Sequence, residues 1–189
     1  VSEGLDPWSF TLPVARLGGV TRAVVTPQHG GGSGGHSHDD SDFAGAGHGG
    51  FQSPGLFAGQ ATIIHLGPDL NGGDVNIIVK PRVAMVAPFG SAAAGVAGGA
   101  RGSAYGLFRE TLAEVRAYAR NKAAYDRAAM RDLSLSRADL EALIPVVEGR
   151  MPIIIQARRA SDILAALRLA REENLKIILD DAEEGWLVA

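Results

Sequence analysis

Cysteine is absent from this chain of 189 residues, which excludes disulfides, thiolate metal sites and cysteine nucleophiles and leaves the redox compartment open. No apolar run approaches the roughly 20 residues that a membrane-spanning helix needs, and the opening stretch VSEGLDPWSF lacks the basic and apolar regions of a signal peptide. A formal net charge of −3 gives no positive field to attract a phosphate backbone. We therefore expect neither nucleic acid nor a membrane as a partner. Because the sequence begins at Val1 rather than Met, we also expect a fragment or a processed chain.

Hydrophobic residues make up 46% of the chain, so it can bury a core. Its two halves differ in composition. Of the 25 glycines, 23 lie in residues 1–106, whereas 14 of the 18 lysines and arginines lie from Arg101 onward. This contrast predicts loops and strands in the first half and helices in the second.

The first half contains several short β-branched stretches. Residues 19–27 predict a strand that ends at Pro27, and residues 61–66 and 75–79 predict a hairpin around Asn71 and Gly72. A further strand is expected at 83–87, followed by a mobile loop over 90–102.

The second half predicts a helix over about 104–130 with a buried stripe, and a second helix for which Ser136 is the N-cap and Asp139 the capping-box acid. Pro145 should kink or restart that helix before Gly149. Trp186 is expected in the core.

The last forty residues predict a strand–helix–strand unit. Residues 152–156 and 176–180 are short apolar runs, as expected for parallel strands covered on both faces, and Ser161 should cap the helix between them. In such units the chemistry lies just past the carboxyl ends of the strands. The side chains at these positions are Gln156, Arg158, Arg159, Asp180, Asp181, Glu183 and Glu184.

The stretches SRADLEALIPVVEGRMPIIIQARRASDIL (136–164) and LKIILDDAEEGWLVA (175–189) resemble the imidazolonepropionase-related branch of the amidohydrolase superfamily. Residues 18–21 and 59–61 are similar to earlier segments of that branch, and only 29–50 stand outside the resemblance. It implies a distorted (β/α)8 barrel and hydrolysis of non-peptide C–N bonds in amides, ureas or cyclic amides by water on zinc or another divalent metal.

The chain departs from this family at two metal-ligand positions. Where the family has His-Ala-His-Arg, this chain has Gln156-Ala157-Arg158-Arg159, and where it has Glu-His-Gly, this chain has Asp180-Asp181-Ala182. An amide is a weak ligand, and Arg158 places a permanent positive charge beside the site. Gln156 and Asp181 either end strands that have lost their metal or belong to a rearranged site.

If chemistry is retained, Asp181 is the expected general base or metal ligand and Gln156 a polarising or weakly coordinating group. Arg158 is then the expected clamp for an anionic substrate. For Arg158 and Arg159 the alternative is ion pairing with Asp180 or Asp181.

The loop over 29–50 contains four of the five histidines, namely His29, His36, His38 and His48, together with three aspartates. Imidazole binds Zn, Ni or Cu, so these histidines are candidate metal ligands. The alternative is a disordered, solvated insertion, because ordering the loop costs roughly 1–2 kcal/mol per residue. The glycines at 30–35 do not form a nucleotide loop, since no lysine or helix follows them.

The sequence thus predicts an α/β fold: a partial or distorted (β/α)8 TIM-like barrel over 1–189, with an inserted β-hairpin and a long Gly/His-rich loop. The predicted function is that of an amidohydrolase-like protein whose metal-dependent reaction is degenerate in this copy. The alternative is a noncatalytic scaffold, or a metal-sequestering protein that uses the histidine loop. The cofactor is either zinc or another divalent metal, as in the family, or none. A small-molecule substrate, if the protein is active, and a homo-oligomer both stay open as partners. The resemblance favours the periplasm over the cytoplasm.

Overall fold

The computed structural model describes residues 2–27, 56–67 and 77–189. The strands in these ranges are β1 (Arg22–Val25), β2 (Gly59–His65), β3 (Ile78–Pro88), β4 (Ile153–Gln156) and β5 (Ile177–Asp180). The helices are α1 (Thr11–Leu17), α2 (Arg101–Arg120), α3 (Lys122–Asp126), α4 (Arg137–Val147) and α5 (Ala160–Glu172). Short 3-10 turns occupy Ser2–Gly4, Ala94–Ala97 and Gly185–Leu187.

The five strands form one sheet in the order β1-β2-β3-β4-β5. The pairs β1/β2 and β2/β3 are antiparallel, whereas β3/β4 and β4/β5 are parallel. The strand–helix–strand unit formed by β4, α5 and β5 confirms the parallel pairing predicted from the last forty residues.

The expectation of a partial or distorted (β/α)8 barrel is wrong. A closed barrel has no edge strands, whereas the described residues form a curled five-stranded sheet with β1 and β5 at its two edges. Two of its strand pairs are antiparallel, so the regular alternation of strand and helix is confined to β3, β4 and β5.

β3 is a single strand of 11 residues, longer than the separate strands expected at 75–79 and 83–87. It pairs with β2, but the register shifts twice, and Arg82 has a φ of 54° directly after Pro81. A residue at positive φ and a proline both disturb the ladder. The two expected strands are therefore one strand with a local irregularity, and the turn expected at Asn71 and Gly72 lies outside the described residues.

The main core lies between one face of the sheet and the helices. Strand residues Met85, Ile153 and Ile155 pack there against the buried stripe of α2, which includes Phe108 and Leu112. Full burial of one such side chain contributes about 1.5–3 kcal/mol. The apolar periodicity of α2 is therefore confirmed.

The helix boundaries follow local chemistry. At the start of α4, the Ser136 hydroxyl accepts a hydrogen bond from the Asp139 N–H, as the capping motif predicts. Pro145 lies inside α4, which continues to Val147 without a restart. The helix expected over 104–130 is shorter, because the Asn121 amide donates to the Ala117 carbonyl and ends α2 at Arg120.

One burial expectation is wrong. Trp186, expected in the core, is 77% exposed. In α5 the buried residues are Asp162, Ile163, Ala166 and Leu169. The stretch 90–102, expected to be a mobile loop, contains turns and the 3-10 helix Ala94–Ala97, and Ala93 within it is fully buried. None of the helices in the described part of the chain is long and apolar enough to span a membrane.

Candidate functional site

Parallel pairing brings the carboxyl ends of three strands to one edge of the sheet. Pro88 at the end of β3 lies beside Gln156 at the end of β4, and Gln156 lies beside Asp180 at the end of β5. Polar residues that follow parallel strands meet at such an edge. The side chains predicted from the sequence as a site are therefore neighbours in the structure.

Gln156 and Asp180 belong to the face of the sheet that points away from the helices. Successive strand residues alternate between faces, and Ile153 and Ile155 pack against the helices. The Gln156 amide Nε2 donates to the Asp180 carboxylate at 3.4 Å. On the same face of β5, Ile178 is 48% exposed, so the expectation that β5 is buried on both faces is wrong.

Arg158 and Asp181 form an ion pair just beyond these strand ends. The Arg158 Nη2 lies 3.3 Å from Asp181 Oδ2, and its Nε lies 3.7 Å from Glu183 Oε1. Both side chains of the closer pair are largely solvent-exposed, which limits its contribution to stability. Asp181 has a φ of 57°, a left-handed conformation that aspartate and asparagine adopt more readily than most residues.

The loops after β4 and β5 are hydrogen-bonded to each other. The Glu184 N–H donates to the Arg158 carbonyl, and the Glu184 carboxylate accepts from the Ala160 N–H at 2.8 Å. Ala160 is the first residue of α5, so Glu184 caps that helix from the neighbouring loop. The expectation that Ser161 is the cap is wrong, because the N-cap position belongs to Arg159, which makes no side-chain cap.

The predicted site residues thus fall into two contacts, Gln156 with Asp180 and Arg158 with Asp181. These side chains line neither the cavity beside the start of α4 nor the cavity between α2 and α5. The candidate metal ligands His29, His36, His38 and His48 lie outside the described residues. Over the ranges 2–27, 56–67 and 77–189, no group of three or more His, Asp or Glu side chains is arranged to hold a metal ion.

A second polar cluster, centred on Asp162, was missed by the sequence analysis. Asp162 lies in the first turn of α5 and is fully buried. One carboxylate oxygen accepts from Arg101 Nη1 at 3.1 Å and from the Tyr105 hydroxyl at 2.8 Å. The other accepts from the Ser91 N–H at 3.2 Å and the Ser91 hydroxyl at 3.1 Å. Both oxygens of this buried charge are therefore hydrogen-bonded, as burial requires.

The same contacts set the protonation of the Asp162 cluster. Burial alone would raise the pKa of Asp162, but hydrogen bonds from Tyr105 and Ser91 and the Arg101 charge hold it below its ordinary value. Burial and the hydrogen bond to Asp162 raise the pKa of Tyr105 to about 12. At neutral pH Asp162 is therefore an anion and Tyr105 a neutral phenol. The only local signal for this cluster was an acid in the first turn of a helix, because its partners lie 57 to 71 residues away.

A 610 Å³ cavity lies between the β2/β3 edge of the main core and the start of α4. Its lining includes Phe57, Gln60, Met85, Ser136 and Asp139. The Gln60 amide donates to the Ala142 carbonyl at 3.4 Å, so the most deeply placed amide there already has a partner. Among the described residues that line this cavity, the Gln60 amide is therefore not free to select a ligand.

Comparison with known proteins gives one informative similarity. The crystal structure of an amidohydrolase from Thermotoga maritima MSB8 matches 98% of this chain and 43% of that chain, with a TM-score of 0.69 and 20% sequence identity. The two proteins therefore share a fold over this region, and this chain spans less than half the length of that amidohydrolase. No family model matches the chain. A search of curated proteins likewise found no match.

Proposed function

We propose that this chain is part of an amidohydrolase-like protein in which metal-dependent hydrolysis of non-peptide C–N bonds is degenerate. The amidohydrolase-like relationship is supported by the fold shared with the Thermotoga maritima amidohydrolase. It is also supported by the polar residues that follow β4 and β5 at one edge of the sheet. Fold alone does not define an activity, so the case for degeneracy depends on the residues at that edge.

The observation that carries the proposal is that these polar groups are paired with one another. The Gln156 amide directs a hydrogen to Asp180, and Arg158 is held between Asp181 and Glu183. A divalent cation needs several anionic or imidazole donors converging on one point. An amide hydrogen and a guanidinium group at that point are unfavourable for such an ion. The residues at this edge therefore do not fit the metal that the family resemblance implies, and we derive no catalytic step through one.

The pairing also bears on substrate binding. Arg158 is the predicted clamp for a substrate anion, but it already contacts two carboxylates of this chain. An incoming anion would meet the negative charges of Asp181 and Glu183 at close range. A noncatalytic role as a scaffold therefore fits this edge better than turnover does.

The test is metal analysis and hydrolase assay of the purified full chain, alongside a variant lacking residues 29–50 and the variant Asp181→Asn. The assay substrates are N-acyl amino acids and cyclic amides. We expect no hydrolysis above the Asp181→Asn background, and no metal that survives deletion of 29–50. Metal lost on that deletion would indicate sequestration by the histidine loop.

Stoichiometric metal that survives deletion of 29–50 but is lost in Asp181→Asn, together with hydrolysis abolished in that variant, would overturn the proposal. Thermal unfolding of Asp181→Asn is the control, because asparagine tolerates the left-handed backbone at this position and the variant should stay folded.

A further inference from the structure

A small cavity of about 260 Å³ lies between α2 and α5. Its side chains come from one face of each helix. On α2 the spacing of Arg101, Tyr105 and Arg109 is four residues, and on α5 Ser161, Ala165 and Arg168 follow the same face. Phe89 and Leu169 complete the lining.

The cavity is positively charged. Three guanidinium groups, those of Arg101, Arg109 and Arg168, line it. Two carboxylates neutralise part of this charge, since Arg101 binds Asp162 at 3.1 Å and Arg109 forms an ion pair with Glu172. Three positive and two negative charges leave one positive charge in excess.

Arg168 is the cation in excess. Its position in the sequence of α5 lies between Asp162 and Glu172, and both of these carboxylates are taken up by arginines of α2. Within the part of the chain that the structure describes, the Arg168 guanidinium forms no hydrogen bond or ion pair. Arg101 also has donors to spare, because both of its hydrogen bonds leave from Nη1. A guanidinium group has five N–H donors, so both arginines can bind an anion without breaking a contact.

Part of the cavity wall is held by contacts within the chain. Buried Asp162 binds both the Arg101 guanidinium and the Tyr105 hydroxyl, and the Tyr105 ring stacks on Phe89 with the ring centroids 4.9 Å apart. Phe89 is 2% exposed and forms an apolar base. Groups positioned in advance lose less conformational entropy when a ligand binds.

We propose that this cavity binds a small organic anion, whose carboxylate or phosphate group contacts Arg168 and Arg101 and whose apolar part lies against Tyr105. Guanidinium groups suit both kinds of anion, because their N–H donors match paired oxygen atoms. The volume restricts the ligand to a small molecule, since it is below the roughly 300–1,000 Å³ of larger ligand sites. The proposal does not depend on the proposed function, because the side chains of Gln156, Arg158, Asp180 and Asp181 do not line this cavity.

The test is calorimetric titration of the full chain at constant ionic strength with two probes, inorganic phosphate and benzoate. We expect at least one probe to bind, and Arg168→Gln to weaken that binding at least tenfold. The matched control is Arg171→Gln, which removes the same charge from the same helix. The Arg171 guanidinium is exposed, donates to the Leu167 carbonyl of its own helix and does not line the cavity.

The two probes identify the group that is recognised. Binding of phosphate alone indicates a phosphorylated ligand, and binding of benzoate alone or more tightly indicates an aromatic carboxylate. The proposal is overturned if neither probe binds. It is also overturned if Arg171→Gln weakens binding as much as Arg168→Gln does, since the effect would then reflect net charge alone. Thermal unfolding of both variants verifies that they are folded, which is expected because both side chains are exposed.

Discussion

Asp162, in the first turn of α5, and Asp181, directly after β5, have opposite surroundings. Asp162 is buried and accepts four hydrogen bonds, from Ser91, Arg101 and Tyr105. Asp181 is exposed, and its side chain has a single arginine partner at 3.3 Å. The family resemblance pointed to Asp181 as the functional carboxylate, whereas in the structure the buried and fully hydrogen-bonded carboxylate is that of Asp162.

The contrast shows that a position at the end of a strand does not by itself place a polar side chain in a buried, hydrogen-bonded network. Asp162 joins the turn after β3, the start of α2 and the start of α5 through one carboxylate. Asp181 joins only two adjacent surface loops. Removing a partner from a buried charged network is costly, whereas an exposed ion pair contributes little. The comparison therefore predicts a hierarchy of mutational effects.

The largest effect is expected from Asp162→Asn. Asparagine has an NH₂ group in place of one acceptor oxygen. That group would face either the two Ser91 donors or the donors of Arg101 and Tyr105, depending on how the amide is oriented. The free energy of unfolding should fall by about 2–4 kcal/mol in urea denaturation. Asp181→Asn is the matched control and should change it by less than about 0.5 kcal/mol. Equal effects of the two substitutions would contradict the comparison.

A smaller but still large effect is expected from Gly90→Ala. Gly90 has a φ of +60°, and an added Cβ would lie 2.2 Å from Asp162 Cγ. Backbone strain and displacement of the carboxylate should lower the free energy of unfolding by about 1–3 kcal/mol. Gly98→Ala is the matched control, because Gly98 has a φ of +75° with open space around its Cβ position. If both substitutions cost the same in urea denaturation, contact with Asp162 is not the cause.

Acid should reveal the contribution of Asp162 to stability. The folded-state pKa of Asp162 is held below its ordinary value of 3.8, so its stabilising contribution is present above that value and is lost as the pH falls through the folded-state pKa. We expect the wild-type free energy of unfolding to fall below about pH 4, and to fall less steeply in Asp162→Asn. Urea unfolding at pH 2.5 to 7 measures this.

Some acid sensitivity should persist in Asp162→Asn, because Glu114 contributes separately. Burial would raise the pKa of Glu114, but hydrogen bonds from Ser134 and the charge of Arg131 hold it below its ordinary value of 4.5. Its contribution has the same sign and is likewise lost in acid. An Asp162→Asn slope that matches the wild type throughout would show that Asp162 does not titrate as proposed.

The smallest effect is expected at the strand-end ion pair. A double-mutant cycle of Arg158→Gln and Asp181→Asn should give a coupling energy below about 1 kcal/mol at low salt, which decreases further at high salt. The reason is that both side chains are exposed. A coupling energy of several kcal/mol that resists salt would indicate that this pair is organised like the Asp162 cluster, and would reopen the case for a site there.

The parts of the fold that could be predicted depend on contacts between near neighbours in sequence. The Ser136 cap and the apolar stripe of α2 follow from residues within one or two helical turns of each other. The parallel pairing of β4 with β5 follows from the single helix that connects the two strands. The Asp162 cluster could not be predicted in this way, because its donors come from Ser91, Arg101 and Tyr105, far away in the chain.

The site shows the same division. Position in the chain was enough to place Gln156, Arg158, Asp180 and Asp181 at one edge of the sheet, since parallel strands end together. It was not enough to say how they pair. Gln156 contacts Asp180 because side chains alternate along a strand, which places both residues on the same face of the sheet. Arg158 contacts Asp181 because both lie in the loops that follow these strands.

The sequence by itself determined some local elements of this protein, among them the Ser136 cap and the apolar stripe of α2, since caps and hydrophobic periodicity act over a few residues. It also determined which chemistry is impossible, because a chain without cysteine has no thiolate. Only the tertiary structure decided that β1 and β5 are the outer strands of the sheet formed by the described residues, and that Asp162 rather than Asp181 is buried. Burial and charge pairing depend on which distant segments of the chain pack together. That packing depends on all the residues of the core, not on any one stretch of sequence.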